Sequence, residues 1–231
     1  MPTLHHYPLS AGSRFVRLLL AEYGEAPTLV EEKPWERSEV LLKLNPAGTV
    51  PVLIDDDETA VSGAMVIAEY LNEARGARLG ETAPLMPASP GERAEARRLI
   101  EWYLAKMEAE VTGYLVTEKV YKRRMAVDQG GGPPDAAAIR AARANIRSHL
   151  GYIAYLTARR SCLVGRDITA ADLAAGAALS VVDYLGEVPW EEEAAAKAWY
   201  ARVKSRPSFR TILADQVRGM PAVAHYADLD F

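Results

Sequence analysis

Two serines, Ser10 and Ser13, stand one helical turn apart at the start of an apolar-periodic stretch, and seven basic residues gather near mid-chain. A serine at a helix start most often caps it, accepting a bond from a free backbone N–H. Lys119, Lys122, Arg123 and Arg124 cluster at the end of a long helical pattern, and Arg140, Arg143 and Arg147 follow at helical spacing. If the intervening run Gly130-Gly131-Gly132-Pro133-Pro134 turns the chain back, the two sets meet as a basic patch on an acidic chain. Such a patch steers an acidic partner toward it. The plainer reading is that basic residues complement a helix C-terminus and that arginine faces are solvated. After Met220-Pro221 the periodicity stops, and His225, Tyr226, Asp228, Asp230 and Phe231 mix aromatic anchors with negative charge. A tail of that kind docks in a partner's groove or folds back on its own domain.

Other reactive residue types lead less far. His5 and His6 are neighbours in a strand pattern and point to opposite faces, so no metal site is expected from them. Cys162 is the one cysteine, which excludes an intrachain disulfide and a cysteine-based zinc site. It lies among apolar residues and reads as a small buried hydrophobe. Trp35, Trp102, Trp190 and Trp199 read as core or interface aromatics.

These residues sit on a chain of 231 residues, 49% apolar and 25% charged, long enough for one large domain or two modest ones. The net charge of −4 supplies no global field for nucleic acid or anionic lipid, and no aromatic stacking set accompanies the basic cluster. No nucleic-acid partner is expected. The opening Met-Pro-Thr-Leu-His-His lacks the basic region and apolar run of a signal peptide. No stretch approaches the ~18 apolar residues of a membrane span. With its single cysteine, the chain is expected in the cytoplasm.

The elements that position these groups follow from periodicity. Residues 3–8 read as a strand, and a helix opens at Ser10 with Val16, Leu19, Leu20 and Tyr23 on one side and Gly24 as its stop. A strand over 28–32, a short helix over 36–44, strands over 50–54 and 59–61, and a helix from Ser62 through Leu71 complete the order β-α-β-α-β-β-α by about residue 75. Pro51 is the oddity, because proline cannot donate to a ladder; a cis peptide bond is one solution. Beyond a proline-rich stretch every element reads as helix: 94–127, a second helix capped by Asp135 with Ile139, Ala142, Ile146, Ile153 and Leu156 facing the core, then 191–204 and 208–217. Thr169-Ala170-Ala171-Asp172 has capping-box spacing between Ile168 and Leu173.

Four segments in order resemble the glutathione transferase superfamily: Ser10 through Arg17, the run Asn45-Pro46-Ala47-Gly48-Thr49-Val50-Pro51, Ser62 through Leu71, and Thr169 through Asp172. The resemblance implies a thioredoxin-like α/β domain over 1–79, a linker over 80–90, an all-helical domain over 91–219 and a tail over 220–231, as a homodimer, with Pro51 cis. A closer likeness rests on Leu4-His5-His6-Tyr7-Pro8-Leu9-Ser10, the inserted Gly-Gly-Gly-Pro-Pro and residues 225–231. These are similar to the glutathione-transferase-like cell-division proteins of alphaproteobacteria, which bind the tubulin-like polymer protein FtsZ. The likeness implies a scaffold at the division site, with FtsZ as partner and the tail reaching a further division component. FtsZ-type polymers are acidic, which suits the basic set.

The same resemblance makes Ser10 the position of the superfamily's catalytic serine, with Ser13 as runner-up. That hydroxyl donates to the glutathione sulfur, helped by the positive end of the helix. Two serines at this spacing cannot form the disulfide of a Cys-x-x-Cys pair. The glutathione cleft would comprise Ser10, Val50, Pro51 and Ser62. In the superfamily an acidic or amide residue precedes that last serine and holds the ligand's ammonium; here it is Val61. Losing a hydrogen bond to a charged group, about 1.5–3 kcal/mol, weakens binding roughly 10- to 100-fold. Thr49 also replaces a basic residue common before Val-Pro. The cleft is therefore expected to be vestigial and the chain non-catalytic, with no cofactor, unless an acidic residue from elsewhere substitutes. Glutathione conjugation to small electrophiles is the alternative.

Overall fold

The computed structural model describes residues 1–79 and 84–229. Strands β1 (Thr3–His6), β2 (Thr28–Glu31), β3 (Val52–Ile54) and β4 (Ala60–Ser62) form one mixed sheet in the order β2-β1-β3-β4. β1 runs parallel to β2, with Thr3 opposite Thr28, and antiparallel to β3, with Leu4 opposite Leu53. Helices α1 (Ala11–Glu22), α2 (Glu39–Leu44) and α3 (Ala64–Arg75) complete the expected thioredoxin-like unit. Leu4, Phe15, Val16, Leu53, Ile67 and Leu71, drawn from β1, α1, β3 and α3, are buried completely.

Among the described residues the rest of the chain is helical: α4 (Pro90–Glu101), α5 (Gly113–Val116), α6 (Ala136–Thr157), α7 (Ala170–Tyr184), α8 (Ala194–Lys204) and α9 (Arg210–Leu213), with short 3₁₀ and π segments. α7 is the axis of this half, and each of its residues is buried. A Cβ at Gly176 would lie 2.9 Å from Val203 Cγ1 and 3.2 Å from the Phe209 ring, so glycine there sets how closely α8 approaches. Thr169 and Asp172 close the capping box in both directions, and Asp172 also accepts from Trp199 Nε1 at 2.9 Å. Asp135 caps α6 by accepting from the Ala137 and Ala138 amides.

The two halves are packed through α1, which lies along α7. Arg14 of α1 is fully buried and donates to the Pro8 carbonyl, to Ser180 Oγ of α7 and to the Tyr226 hydroxyl. At the other end of α1, Glu22 accepts two 2.6 Å bonds from Arg206 and one from Ser208.

Several elements differ from the sequence reading. The helix expected over 94–127 starts at Pro90, and after Glu101 it passes through π-helical turns over Trp102–Lys106, Glu108–Thr112 and Thr117–Tyr121. Hydrophobic periodicity does not distinguish a helix from one carrying occasional wide turns. Gly113 is the local reason for one of them. A Cβ there would stand 2.7 Å from the Glu108 carbonyl oxygen, closer than side chains tolerate. The strand expected from residue 50 begins at Val52, because Pro51 has no N–H to donate to the ladder; the Val50–Pro51 peptide bond is cis. The helix expected over 208–217 is a 3₁₀ turn, Pro207–Phe209, followed by the single turn of α9, and the chain then forms a bridge between Val217 and Met220.

Candidate functional site

A cleft of about 340 Å³ opens where the first turn of α1, the cis-proline loop and the start of α3 face the helix that begins with α4. Ser10, Val50 and Pro51 line it; Ser62 is the residue before the lining Gly63 and is not itself on the wall. Ser10 caps α1, its Oγ accepting from the Ser13 amide at 3.2 Å, and its hydroxyl hydrogen remains to donate. Ser13 is fully buried and its Oγ accepts from the Tyr7 amide, which keeps it off the wall. A Cβ on Gly12 would fall 3.2 Å from Ala64 Cβ and 3.3 Å from Pro51 Cδ, so glycine lets the three segments close on one another. Val61 packs against the core, and the Thr49 hydroxyl accepts from Asn45 Nδ2 at 3.0 Å. Neither offers a charge to a ligand.

The opposite wall carries Glu101, Leu104, Ala105 and Glu108. Glu108 Oε2 is sealed from water and has no hydrogen-bond partner. Burial alone pushes this carboxyl up to about 7. Sequence reasoning missed it. The i, i+3, i+4, i+7 spacing of 101, 104, 105 and 108 is a legible stripe, but nothing in the sequence tells which neighbour that stripe faces. Tyr7 packs edge to face on both Trp35 and Tyr121, and Trp35 lies tilted against Tyr121, with centroids 4.9–5.6 Å apart, joining the two halves again.

The two basic sets meet, and Glu187 is where they meet. Lys119 and Arg143 both pair with its carboxylate, at 2.6 and 2.5 Å. Lys122 pairs with Glu118 and Arg147 with Glu192, each at 2.6 Å. Arg124 donates to the Tyr7 hydroxyl and to the Arg218 carbonyl. Within this set Arg123 and Arg140 are exposed and have no ion pair or hydrogen bond among the described residues. The open positive charge is thus narrower than seven residues of one sign suggest, because four of the seven are paired with the carboxylates of Glu187, Glu118 and Glu192.

The tail takes the second of its two readings as far as residue 226. Tyr226 is 1% exposed, packs edge to face on Tyr184 and accepts from Arg14, so it is a core residue and not a surface anchor. His225 Nε2 lies 3.1 Å from Asp183 Oδ1, tying that ring to the same core. Asp228 is exposed. Asp230 and Phe231 lie outside the described residues, as do residues 80–83 of the expected linker. Beside the tail, a cavity of about 700 Å³ runs between Asp215, Arg218, Val223 and Tyr226.

The other candidates are structural. His5 Nδ1 lies 2.7 Å from Glu32 Oε1, and burial with nearby Arg17 lowers His6 to about 4, leaving it neutral at pH 7. Among the described residues no three potential ligand side chains gather as a metal site. No described helix is long and apolar enough to cross a membrane. Cys162 is buried, and that burial raises its thiol to about 11.

Comparison with known proteins agrees with this geometry. Residues 9–74 match the family model of the glutathione S-transferase N-terminal domain. The chain is 46% identical over 232 residues to FtsZ-localized protein A of Caulobacter vibrioides, covering 99% of this chain and 98% of that one. The chain belongs to the glutathione transferase superfamily. A crystal structure of a glutathione S-transferase from Sinorhizobium meliloti superposes with a TM-score of 0.96 at 53% identity, over the full length of both chains. FzlA from C. crescentus superposes with a TM-score of 0.91 at 43% identity, covering 100% of this chain and 99% of that one.

Proposed function

We propose that this chain is a non-catalytic scaffold of bacterial cell division that binds FtsZ filaments as a dimer and links them to other division components. The carrying observation is the end-to-end relation, 46% identity over 99% of the chain, to a protein named for its localisation to FtsZ. Arg123 and Arg140 are the part of the basic face free to meet an acidic polymer, since their neighbours are already paired. A dimer presents that face twice and turns modest single-site affinity into avidity. For the second copy, the helical half offers Trp102, Tyr152 and Tyr155, where Tyr155 is 74% exposed and stacks on Tyr152 at 13°. The protein would act in the cytoplasm, recruited to the division site by its partner, and the end of the tail would reach a further component.

Co-sedimentation with purified FtsZ tests the reading. The double variant Arg123→Asp, Arg140→Asp is expected to stay in the supernatant while keeping its melting temperature. Pelleting of the wild type no better than a control protein would refute filament binding, and unchanged pelleting of the variant would remove the basic face from it.

A second reading, glutathione conjugation, is favoured by one observation: the Ser10 hydroxyl stands on the cleft wall at the start of α1 with its hydrogen free to donate. It predicts a raised melting temperature in millimolar glutathione and conjugation activity lost in Ser10→Ala. A flat melting curve counts against it.

A further inference from the structure

Glu108 carries a cost without a visible return inside the chain. It stands on the π turn Glu108–Thr112, on the wall of the cleft, and its Oε2 has neither water access nor a donor. Thr112 Oγ1, one turn on, is equally without a partner. Among the described residues no side chain pairs with the Glu108 carboxyl, and burial is the one cause of its raised pKa. A buried carboxylate is kept where something compensates it, and π turns gather at sites that bind or react.

The rest of the cleft says what shape the compensating group has. Val50, Pro51, Ala64 and Met65 give the cleft an apolar floor, and Leu104 and Ala105 line it beside Glu108. Glu101 stands exposed at the edge and adds a second negative charge. At about 340 Å³ the space suits a short chain and not a broad ring system. An aliphatic stem fits the floor, and a positive head fits Glu108 once its carboxyl turns the buried Oε2 toward the space.

We propose that the cleft binds an alkyl cation, a primary ammonium or guanidinium on an aliphatic stem, with Glu108 as its counter-ion and Glu101 at the entrance. The cation arrives either as a free small amine or as the basic side chain of a peptide; the chemistry at Glu108 is the same. Glutathione is the poorer fit, because its own two carboxylates would enter a site with no basic side chain on its wall. Glu108 makes the pocket selective by charge, where Val61 leaves the usual ammonium position apolar.

Calorimetric titration of the full chain with agmatine, with N-acetyl-lysine methylamide and with uncharged 1-pentanol tests this. Saturable binding of a cation at millimolar concentration, without binding of pentanol, is expected. Agmatine alone points to a free amine, and the lysine derivative binding as well or better points to a peptide side chain. Glu108→Gln should weaken the cation about 10- to 100-fold, the worth of one hydrogen bond to a charged group. Should that variant misfold, Ala105→Trp fills the cleft from an exposed position and is expected to abolish binding. No saturation by either cation overturns the proposal, as does an affinity that both variants leave unchanged.

Discussion

The Tyr226 hydroxyl accepts a 2.8 Å hydrogen bond from the buried guanidinium of Arg14, fastening the tail to the first helix. Arg14 sits at the junction of the two halves. Its Nη2 has no hydrogen bond, and the nearest carboxylate oxygen, on Asp215, is 3.8 Å away. Removing the phenol oxygen leaves a second unsatisfied donor on a buried cation. Tyr226→Phe is therefore expected to cost about 1–3 kcal/mol of stability. Tyr226→Ala, which also empties the space beside Tyr184, should cost about 3–5 kcal/mol. Urea unfolding of the three proteins measures both, and a phenylalanine variant as stable as wild type would show that this bond contributes nothing net.

Acid should loosen the sheet end of the molecule first. Asp55, at the end of β3, accepts 2.6 Å from Arg75 and 2.5 Å from Tyr70. The Arg75 bond, with help from Tyr70 and against the effect of burial, holds its carboxyl at about 2, below the ordinary 3.8. A depressed folded-state pKa means that the unfolded chain takes up the proton first as pH falls. The stability Asp55 provides is then complete above about pH 4 and is lost on approach to pH 2. Asp55→Asn is expected to be about 1–3 kcal/mol less stable at neutral pH and to lose less between pH 4 and 2. Parallel slopes of stability against pH in the two proteins would contradict this.

Tight packing around α7 makes a separate prediction. At Gly176 an added methyl would meet Val203 at 2.9 Å and Phe209 at 3.2 Å, both fully buried and unable to yield freely. Gly176→Ala is expected to destabilise by about 1–3 kcal/mol despite alanine's better helix propensity. A melting temperature above wild type would mean that α8 shifts without cost.

What could be read in the sequence was local. Asp135 and the Thr169–Asp172 box announce helix starts through bonds made within three residues, and Pro51 announced its own peptide geometry. Charge balance was not readable, because Glu187 lies 68 residues from Lys119 and 44 from Arg143, and no pattern along the chain links them. Tyr226 left two readings open for the same reason: an aromatic in a tail looks alike whether it faces a partner or Arg14. Glu108 escaped notice because a glutamate in an amphipathic helix is ordinarily solvated, and only the facing cis-proline loop and the turn at Gly113 make its position unusual.

That position gives stability an opposite dependence on pH. Glu108 ionises near 7 in the folded chain and near 4.5 when unfolded. Between these values the folded state holds the extra proton, so the contribution of Glu108 is full below about pH 4.5 and declines as pH rises toward 7. Above that the loss is complete and constant. Glu108→Gln cannot ionise, so it should match wild type near pH 4.5 and exceed it at pH 8 by about 1–3 kcal/mol, one pKa unit being worth about 1.4. Denaturant midpoints at the two pH values measure the difference. If the advantage of the glutamine variant is the same at both, Glu108 is solvated and paired with water, and the buried carboxylate that selects a cation does not exist.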